Sequence, residues 1–301
     1  MQELDGFLEE HRDRFLQELC ELLRIPSVST DSRHAEDVRS AAVWVAKQLE
    51  GLSLSTEVIE TEGHPIVYAE SPPVEGAPTV LVYGHYDVQP VDPLELWETA
   101  PFEPVVKDGP DGTKRIVARG SADDKGQLMT FIEACRAYKA ETGGLPCKVT
   151  IFLEGEEESG SPSLTPFLDA NRDELSADVA LVCDTNMWDR ETPAISTGLR
   201  GLVGEEIVLT AANQDLHSGY FGGAAQNPIR VLARILADIH DADGRVTGFP
   251  AVERALRSWS RACCKRSPRG TTGLGRTSTC GLGSVAMRRD PVGAGAPRCA
   301  G

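Results

Sequence analysis

The chain has 301 residues, of which 41% are apolar, so it can build one large or two ordinary globular domains. Its net charge of −16 is unevenly divided, because residues 251–301 hold ten Lys or Arg and only two Asp or Glu. The rest of the chain is strongly acidic, which argues against nucleic acid as the main partner.

The apolar runs are strand-sized and too short to cross a bilayer, and the N-terminal segment lacks the basic and apolar regions of a signal peptide. We therefore expect a cytoplasmic protein with no membrane partner. None of the eight cysteines occurs in a C-x-x-C pair, so we expect no cysteine to act as a metal ligand or nucleophile.

Apolar residues at helical spacing predict helices, and short apolar runs predict strands. In chain order the predicted elements are helices at 4–22 and 35–52, strands at 56–59, 66–69 and 78–84, a hairpin at 108–114, a helix that begins within 120–126, a strand at 147–155, a helix at 163–170 and a strand at 178–184. Ser121 and Asp124 resemble a capping box at the start of their helix. Strands that alternate with helices imply an α/β fold with a mostly parallel sheet flanked by helices.

The pattern changes after Pro193, where residues 199–212 read as a strand of a different, antiparallel unit and residues 227–241 as a helix. From about Gly248 no period of 2 or 3.6 persists, and the basic composition predicts disorder. The abrupt switch suggests translation out of frame, and a native basic tail is the alternative. The predicted domains are 1–192, 193–249 and 250–301.

Histidine and acidic residues cluster near the ends of the predicted strands. The clusters are His85 with Asp87, Asp123 with Asp124, Glu156 with Glu157 and Glu158, and Asp184. Ligands of open α/β sheets bind beyond the carboxyl ends of the strands, so these clusters are expected to meet. Unpaired carboxylates would repel there and raise one another's pKa, whereas one or two divalent cations remove that cost. Imidazole with carboxylates suits zinc, manganese or cobalt.

Each cluster also has a simpler interpretation. His85 alone fits a hydrogen-bonded histidine at a strand end, and Asp184 alone fits a turn. The aspartate pair fits the N-terminus of a helix, where negative charge is favoured. The glutamate run at 154–158 fits a solvated loop. Their common placement at strand ends favours the metal site over these separate interpretations.

Five motifs carry a family resemblance: GHYDVQP, RGSADDKG, LEGEEESGS, VCDTN and DLHSGYFGG. In order and spacing they resemble the zinc exopeptidase superfamily of carnosinase-like dipeptidases, acetylornithine deacetylase and succinyl-diaminopimelate desuccinylase. The resemblance runs from the first helix to about Gly248, and WETAPFEPVV and EESGSPSL are most similar to the dipeptidase branch. It implies a zinc exopeptidase-like catalytic domain with an inserted α+β lid and dimerisation domain, here incomplete.

The resemblance also implies a role for each motif residue of a centre with two divalent metal ions. His85 would bind one metal and Asp87 would orient its ring, while Asp123 would bridge both metals. Glu158 would complete one site and Asp184 the other.

Glu157 would be the general base, which takes a proton from the attacking water and returns it to the leaving amine. His217 would contact substrate in the active site of the partner subunit of a homodimer.

The resemblance places a further histidine ligand late in the chain, after the lid. The six histidines are His11, His34, His64, His85, His217 and His240, so none occupies that place. The implied function is metal-dependent hydrolysis of dipeptides, impaired in this chain by the missing ligand. The alternatives are an N-acyl amino acid deacylase of the same superfamily and a non-catalytic, C-terminally truncated fragment.

Overall fold

The computed structural model describes residues 2–110, 112–189, 191–199, 206–210 and 212–243. The chain divides into two compact units, 1–196 and 197–301, which we describe separately. The predicted tail at 250–301 lies outside the described residues, and the predicted domain boundaries stay predictions. Within the part of the chain that the structure describes, no helix is long and apolar enough to cross a membrane.

The first unit alternates helices with strands. Its helices are α1 (Gln2–Glu10), α2 (Arg12–Leu23), α3 (Ala35–Gly51), α4 (Lys125–Thr142) and α5 (Leu164–Ala170). Its strands are β1 (Ser55–Ile59), β2 (Ile66–Glu70), β3 (Thr79–His85), β4 (Val105–Asp108), β5 (Lys114–Val117), β6 (Lys148–Glu154) and β7 (Val179–Val182). Every element predicted from the sequence in this unit is present.

Two details of the helices differ from the predictions. The predicted helix at 4–22 is interrupted at His11, whose ring donates a hydrogen bond to the carbonyl of Phe7 while its backbone leaves the helical region. The predicted capping box is wrong, because α4 begins only at Lys125 and Ser121 instead donates its hydroxyl to the carbonyl of Ala118.

The main sheet has the strand order β1-β2-β6-β3-β7. β3 pairs in parallel with β6 and β7, whereas β2 is antiparallel to both of its neighbours. Four of the five strands therefore share one direction, and the sheet is mixed but mostly parallel. β4 and β5 form a separate antiparallel hairpin, as predicted.

Helices cover both faces of this sheet, and the central strand β6 shows how. Val149, Ile151 and Leu153 join the larger core, which includes the buried sides of α3 and α4. Phe152 points to the opposite face, where it packs against Phe167 of α5. Because both faces of β6 are covered, burial does not alternate along the strand, and every residue from Val149 to Glu154 is buried.

In the second unit, the structure describes α6 (Ser218–Phe221) and α7 (Pro228–Asp238). α7 confirms the predicted helix, and its start is set by Asn227, whose side-chain oxygen accepts the amide of Ile229. The predicted strand at 199–212 is not formed at residues 206–210, and most of its other residues lie outside the described ones.

A cluster of hydrogen-bonded polar side chains between α2, α3 and α4 includes a buried glutamate. Arg136 of α4 donates to Glu133, to Glu18 of α2 and to Gln48 of α3. Burial raises the pKa of Glu133 to about 7, although the charge of Arg136 acts in the opposite direction. The native carboxyl thus holds a proton where the unfolded chain has lost it, so this group makes stability fall as pH rises from about 4.5 to about 7.

We expect Glu133→Gln to flatten the pH dependence of the free energy of unfolding between about pH 4.5 and about pH 7, because a neutral amide replaces the titrating group. Urea denaturation across this range measures it. Glu141→Gln, an exposed change on the same helix, is the matched control. A slope as steep in Glu133→Gln as in the control would contradict this account.

Candidate metal centre

The parallel strands bring the predicted clusters to one edge of the sheet. β3 ends at His85, the turn with Glu157 and Glu158 follows β6, and Asp184 follows β7. Asp123 comes from the segment just before α4. Ligand atoms of His85, Asp123 and Asp184 all lie within 4.8 Å of one another.

The distances around the His85 ring define the centre of the site. Its Nε2 atom lies 3.3 Å from Asp123 Oδ1, 3.8 Å from Asp184 Oδ2 and 4.0 Å from Glu157 Oε2. The histidine is fully buried, whereas the Asp123 side chain is 64% exposed. The site therefore has a dry floor and a mouth that is open to solvent.

Asp87 fixes the orientation of the His85 ring. Both side chains are fully buried, and Asp87 Oδ1 lies 3.2 Å from His85 Nδ1. A carboxylate acceptor requires the proton of a neutral imidazole to be on Nδ1, which leaves the lone pair of Nε2 facing the Asp123 and Asp184 oxygens. This arrangement is repulsive unless a proton or a cation lies between them.

The pKa shifts in the site also indicate that its carboxylates and His85 need a proton or a cation between them. Burial acts to lower the pKa of His85, but the hydrogen bond to Asp87 and the neighbouring carboxylates outweigh it and raise that pKa to about 10. Burial also raises the pKa of Glu157, Glu158 and Asp184. Imidazole nitrogen and carboxylate oxygens are ligands that zinc and similar divalent cations prefer, so the donor set fits such an ion.

Asp87 also holds the turn that bears the two glutamates. Its Oδ1 accepts the amide of Glu157 at 3.3 Å, and its Oδ2 accepts the amide of Glu158 at 3.1 Å. Glu158 in turn accepts a hydrogen bond from the side chain of Gln89. This placement is compatible with the predicted roles of Glu158 as a metal ligand and of Glu157 as the general base. Both roles stay predictions.

Sequence reasoning missed the contacts of three residues near the site, although it had placed Asp124 in one of the clusters. Asp124 is buried and accepts the backbone amide of His85 at 3.0 Å, and burial raises its pKa to about 8. Lys125 is also buried and donates to the carbonyls of Leu22 and Ile25. Gln89 lies within the GHYDVQP motif, which was the one signal available for it.

His217 lies in the second unit and is described within that unit alone. It is the N-cap residue of α6, and its Nδ1 accepts the amide of Gly219 at 3.0 Å. Its predicted contact with substrate stays a prediction.

Gly155 packs closely against Tyr86 at the start of the turn that bears Glu157 and Glu158. The ring of Tyr86 is fully buried, and its hydroxyl donates to the carbonyl of Pro65. A Cβ atom added at Gly155 would lie 2.6–2.8 Å from three atoms of that side chain. The first glycine of the LEGEEESGS motif, Gly155, therefore allows the backbone to approach Tyr86 closely.

We expect Gly155→Ala to lower the free energy of unfolding by about 1–3 kcal/mol, because the added methyl group overpacks this contact. Gly144→Ala is the control, since a Cβ there meets no atom within 4 Å. Urea denaturation of both variants measures the difference. Equal stability of the two variants would show that Tyr86 moves aside freely.

An α/β sheet with imidazole and carboxylate ligands at the carboxyl ends of its parallel strands is typical of metal-dependent hydrolases. The chain belongs to Peptidase family M20/M25/M40, a family of metal-dependent peptidases whose model matches residues 81–288. The match extends past Gly248, where the motif resemblance was expected to end. Its last part lies outside the described residues.

Known relatives agree with this assignment. The chain is 34% identical over 242 residues to a cysteinylglycine-S-conjugate dipeptidase of Corynebacterium striatum, covering 80% of this chain and 52% of the relative. It is 30% identical over 264 residues to the human Beta-Ala-His dipeptidase, covering 80% of this chain and 49% of that relative. The solved structure of the dipeptidase Dug1p from Saccharomyces cerevisiae superposes with a TM-score of 0.60 at 26% identity, covering 85% of this chain and 57% of that one. The chain spans about half the length of the curated relatives it matches.

Proposed function

We propose that the protein hydrolyses dipeptides with the help of divalent cations bound at the His85 site. The observation that carries this proposal is the convergence of His85, Asp123 and Asp184 within 4.8 Å at the edge of the sheet. The substrate class is supported by the relatives, whose names refer to a cysteinylglycine conjugate and to Beta-Ala-His.

Further parts of the proposal rest on the motifs. They are zinc as the preferred ion, a second ion completed by Glu158, and a homodimer in which the second unit is lid and dimerisation domain. A cytoplasmic location is a separate part of the proposal and does not rest on the motifs. Because the chain spans about half of its relatives' length, the activity is proposed for the protein as a whole.

Each residue of the site has a defined task in this reaction. His85, Asp123 and Asp184 would hold the cation, with the His85 ring kept in position by Asp87. When bound, such a cation supplies Lewis acidity, which polarises a peptide carbonyl and makes a nearby water more acidic.

Glu157 is placed to move the proton. Its carboxylate lies 4.0 Å from His85 Nε2 and is partly exposed, so it reaches both the site and the open mouth. Burial raises its pKa, which brings this carboxylate closer to the range in which a general base and acid works well. It would accept a proton from the attacking water and donate it to the leaving amine.

We expect the 301-residue chain to bind Co²⁺ with a visible absorption spectrum, and His85→Asn to abolish that spectrum, because the nitrogen ligand is lost. Absorption titration with Co²⁺ measures affinity and stoichiometry. His34→Asn is the control, since His34 pairs with Asp37 on the first unit's surface. An unchanged spectrum in His85→Asn would remove the metal site from this account.

We expect any hydrolysis by the Zn²⁺-, Mn²⁺- or Co²⁺-loaded chain to be slow and confined to dipeptides, and Glu157→Gln to lower its rate about 100-fold. Assays with Cys-Gly, β-Ala-His and N-acetylalanine compare the substrate classes. Preferred cleavage of N-acetylalanine would favour the deacylase alternative. The absence of turnover on all three substrates would favour the non-catalytic alternative.

A further inference from the structure

Glu156 behaves differently from its two neighbours in the run of three glutamates. It is almost fully buried, whereas Glu157 and Glu158 are partly exposed. No atom of Glu156 belongs to the group of ligand atoms around His85. Its carboxylate is therefore buried without a role in the centre described above, and its partners explain why.

Both carboxylate oxygens of Glu156 accept backbone amides from distant segments. Oε1 accepts the amide of His64 in the β1–β2 turn at 2.9 Å, and Oε2 accepts the amide of Ser163 before α5 at 3.0 Å. Hydrogen bonds to a charged acceptor are roughly twice as strong as neutral ones. One side chain thus connects two pieces of backbone on either side of the turn that follows β6.

The main chain of Glu156 is held in the same way. Its carbonyl accepts the amides of Ser159 at 3.1 Å and Ser161 at 2.8 Å, which closes the turn containing Glu157 and Glu158. The amides of those two glutamates point to Asp87. Glu156 therefore anchors the outer side of the turn while Asp87 anchors its inner side.

The β1–β2 turn is shaped to receive this carboxylate. A Cβ atom added at Gly63 would lie 1.6 Å from Glu156 Oε1, a distance that no structure tolerates. Gly63 has no positive φ, so its backbone conformation is open to other residues. A side chain at this position would therefore have to displace the carboxylate.

We propose that Glu156 is a positioning residue for the metal centre, which places Glu157 and Glu158 through its hydrogen bonds to His64 and Ser163. This inference deepens the proposed function and rests on it. It assigns to the β1–β2 turn, which does not contribute a ligand among the described residues, an influence on how tightly the site binds a cation.

Glu156→Met tests the proposal, because methionine has a similar length but accepts neither amide. We expect its Co²⁺ affinity to fall about tenfold with an altered visible spectrum, the effect typical of losing a residue that supports a metal ligand. Glu156→Gln keeps one acceptor and should lie between Met and the parent chain. Glu62→Gln removes the same charge from an exposed position of the same turn and should leave both readouts unchanged. Parent-like Co²⁺ affinity and spectrum in Glu156→Met, with only a lower melting temperature, would overturn the proposal.

A second comparison tests the contact with Gly63 and does not depend on Glu156→Met folding. Gly63→Ala should weaken Co²⁺ binding in the parent chain, because the new methyl group displaces the carboxylate. In a Glu156→Ala background the same change should have no further effect, since the space is then free. Additive effects of the two substitutions would contradict the proposed connection.

Amide hydrogen exchange separates this proposal from the proposed function. In Glu156→Gln, without added metal, the amides of residues 156–163 should exchange about tenfold faster than in Glu62→Gln. Unchanged exchange in that segment would overturn the positioning role. If the parent chain binds no Co²⁺, the proposed function fails, and the exchange measurement still decides whether Glu156 holds the turn.

Discussion

The buried carboxylate of Asp87 is the interaction on which the site depends. It binds the His85 ring and the amides of Glu157 and Glu158, so it connects the end of β3 to the turn after β6. Such a carboxylate is costly to bury unless it is hydrogen-bonded, and here three donors reach its two oxygens. The same contacts direct His85 Nε2 toward the carboxylates at the mouth. A single group therefore sets both the tautomer of the ligand and the position of the base.

Sequence patterns predicted the helices and strands wherever burial determines the spacing of apolar residues along the chain. α3 was placed to within one residue because its apolar side contacts the core along its length. β3 was recognised because Val80–Tyr83 form an unbroken apolar run, as expected of a central strand. The meeting of His85 and Asp184 followed from the rule that parallel strands end at one edge, and the placement of Asp123 followed from its position in a connection of the same sheet. Their chemistry and order, together with the motifs, then indicated the family.

Contacts between distant segments could not be predicted in this way. Glu156 was grouped with the metal-site carboxylates, yet its side chain accepts hydrogen bonds from the amides of His64 and Ser163. No local sequence pattern predicts the contact with His64, which is 92 residues away along the chain. Asp124 was assigned to a helix N-terminus, whereas its side chain accepts the amide of His85. The antiparallel direction of β2 could not be predicted either, because it is set by pairing with β1 and β6 and not by the residues of β2 itself.

The most direct test of the account is a crystal structure of the chain grown with Zn²⁺, with anomalous diffraction recorded at the zinc edge. The account predicts a strong anomalous peak in contact with His85 Nε2 and with carboxylate oxygens of Asp123 and Asp184, while Asp87 stays hydrogen-bonded to His85 Nδ1. An anomalous map with no peak at His85, or with His85 turned away from the two aspartates, would contradict it.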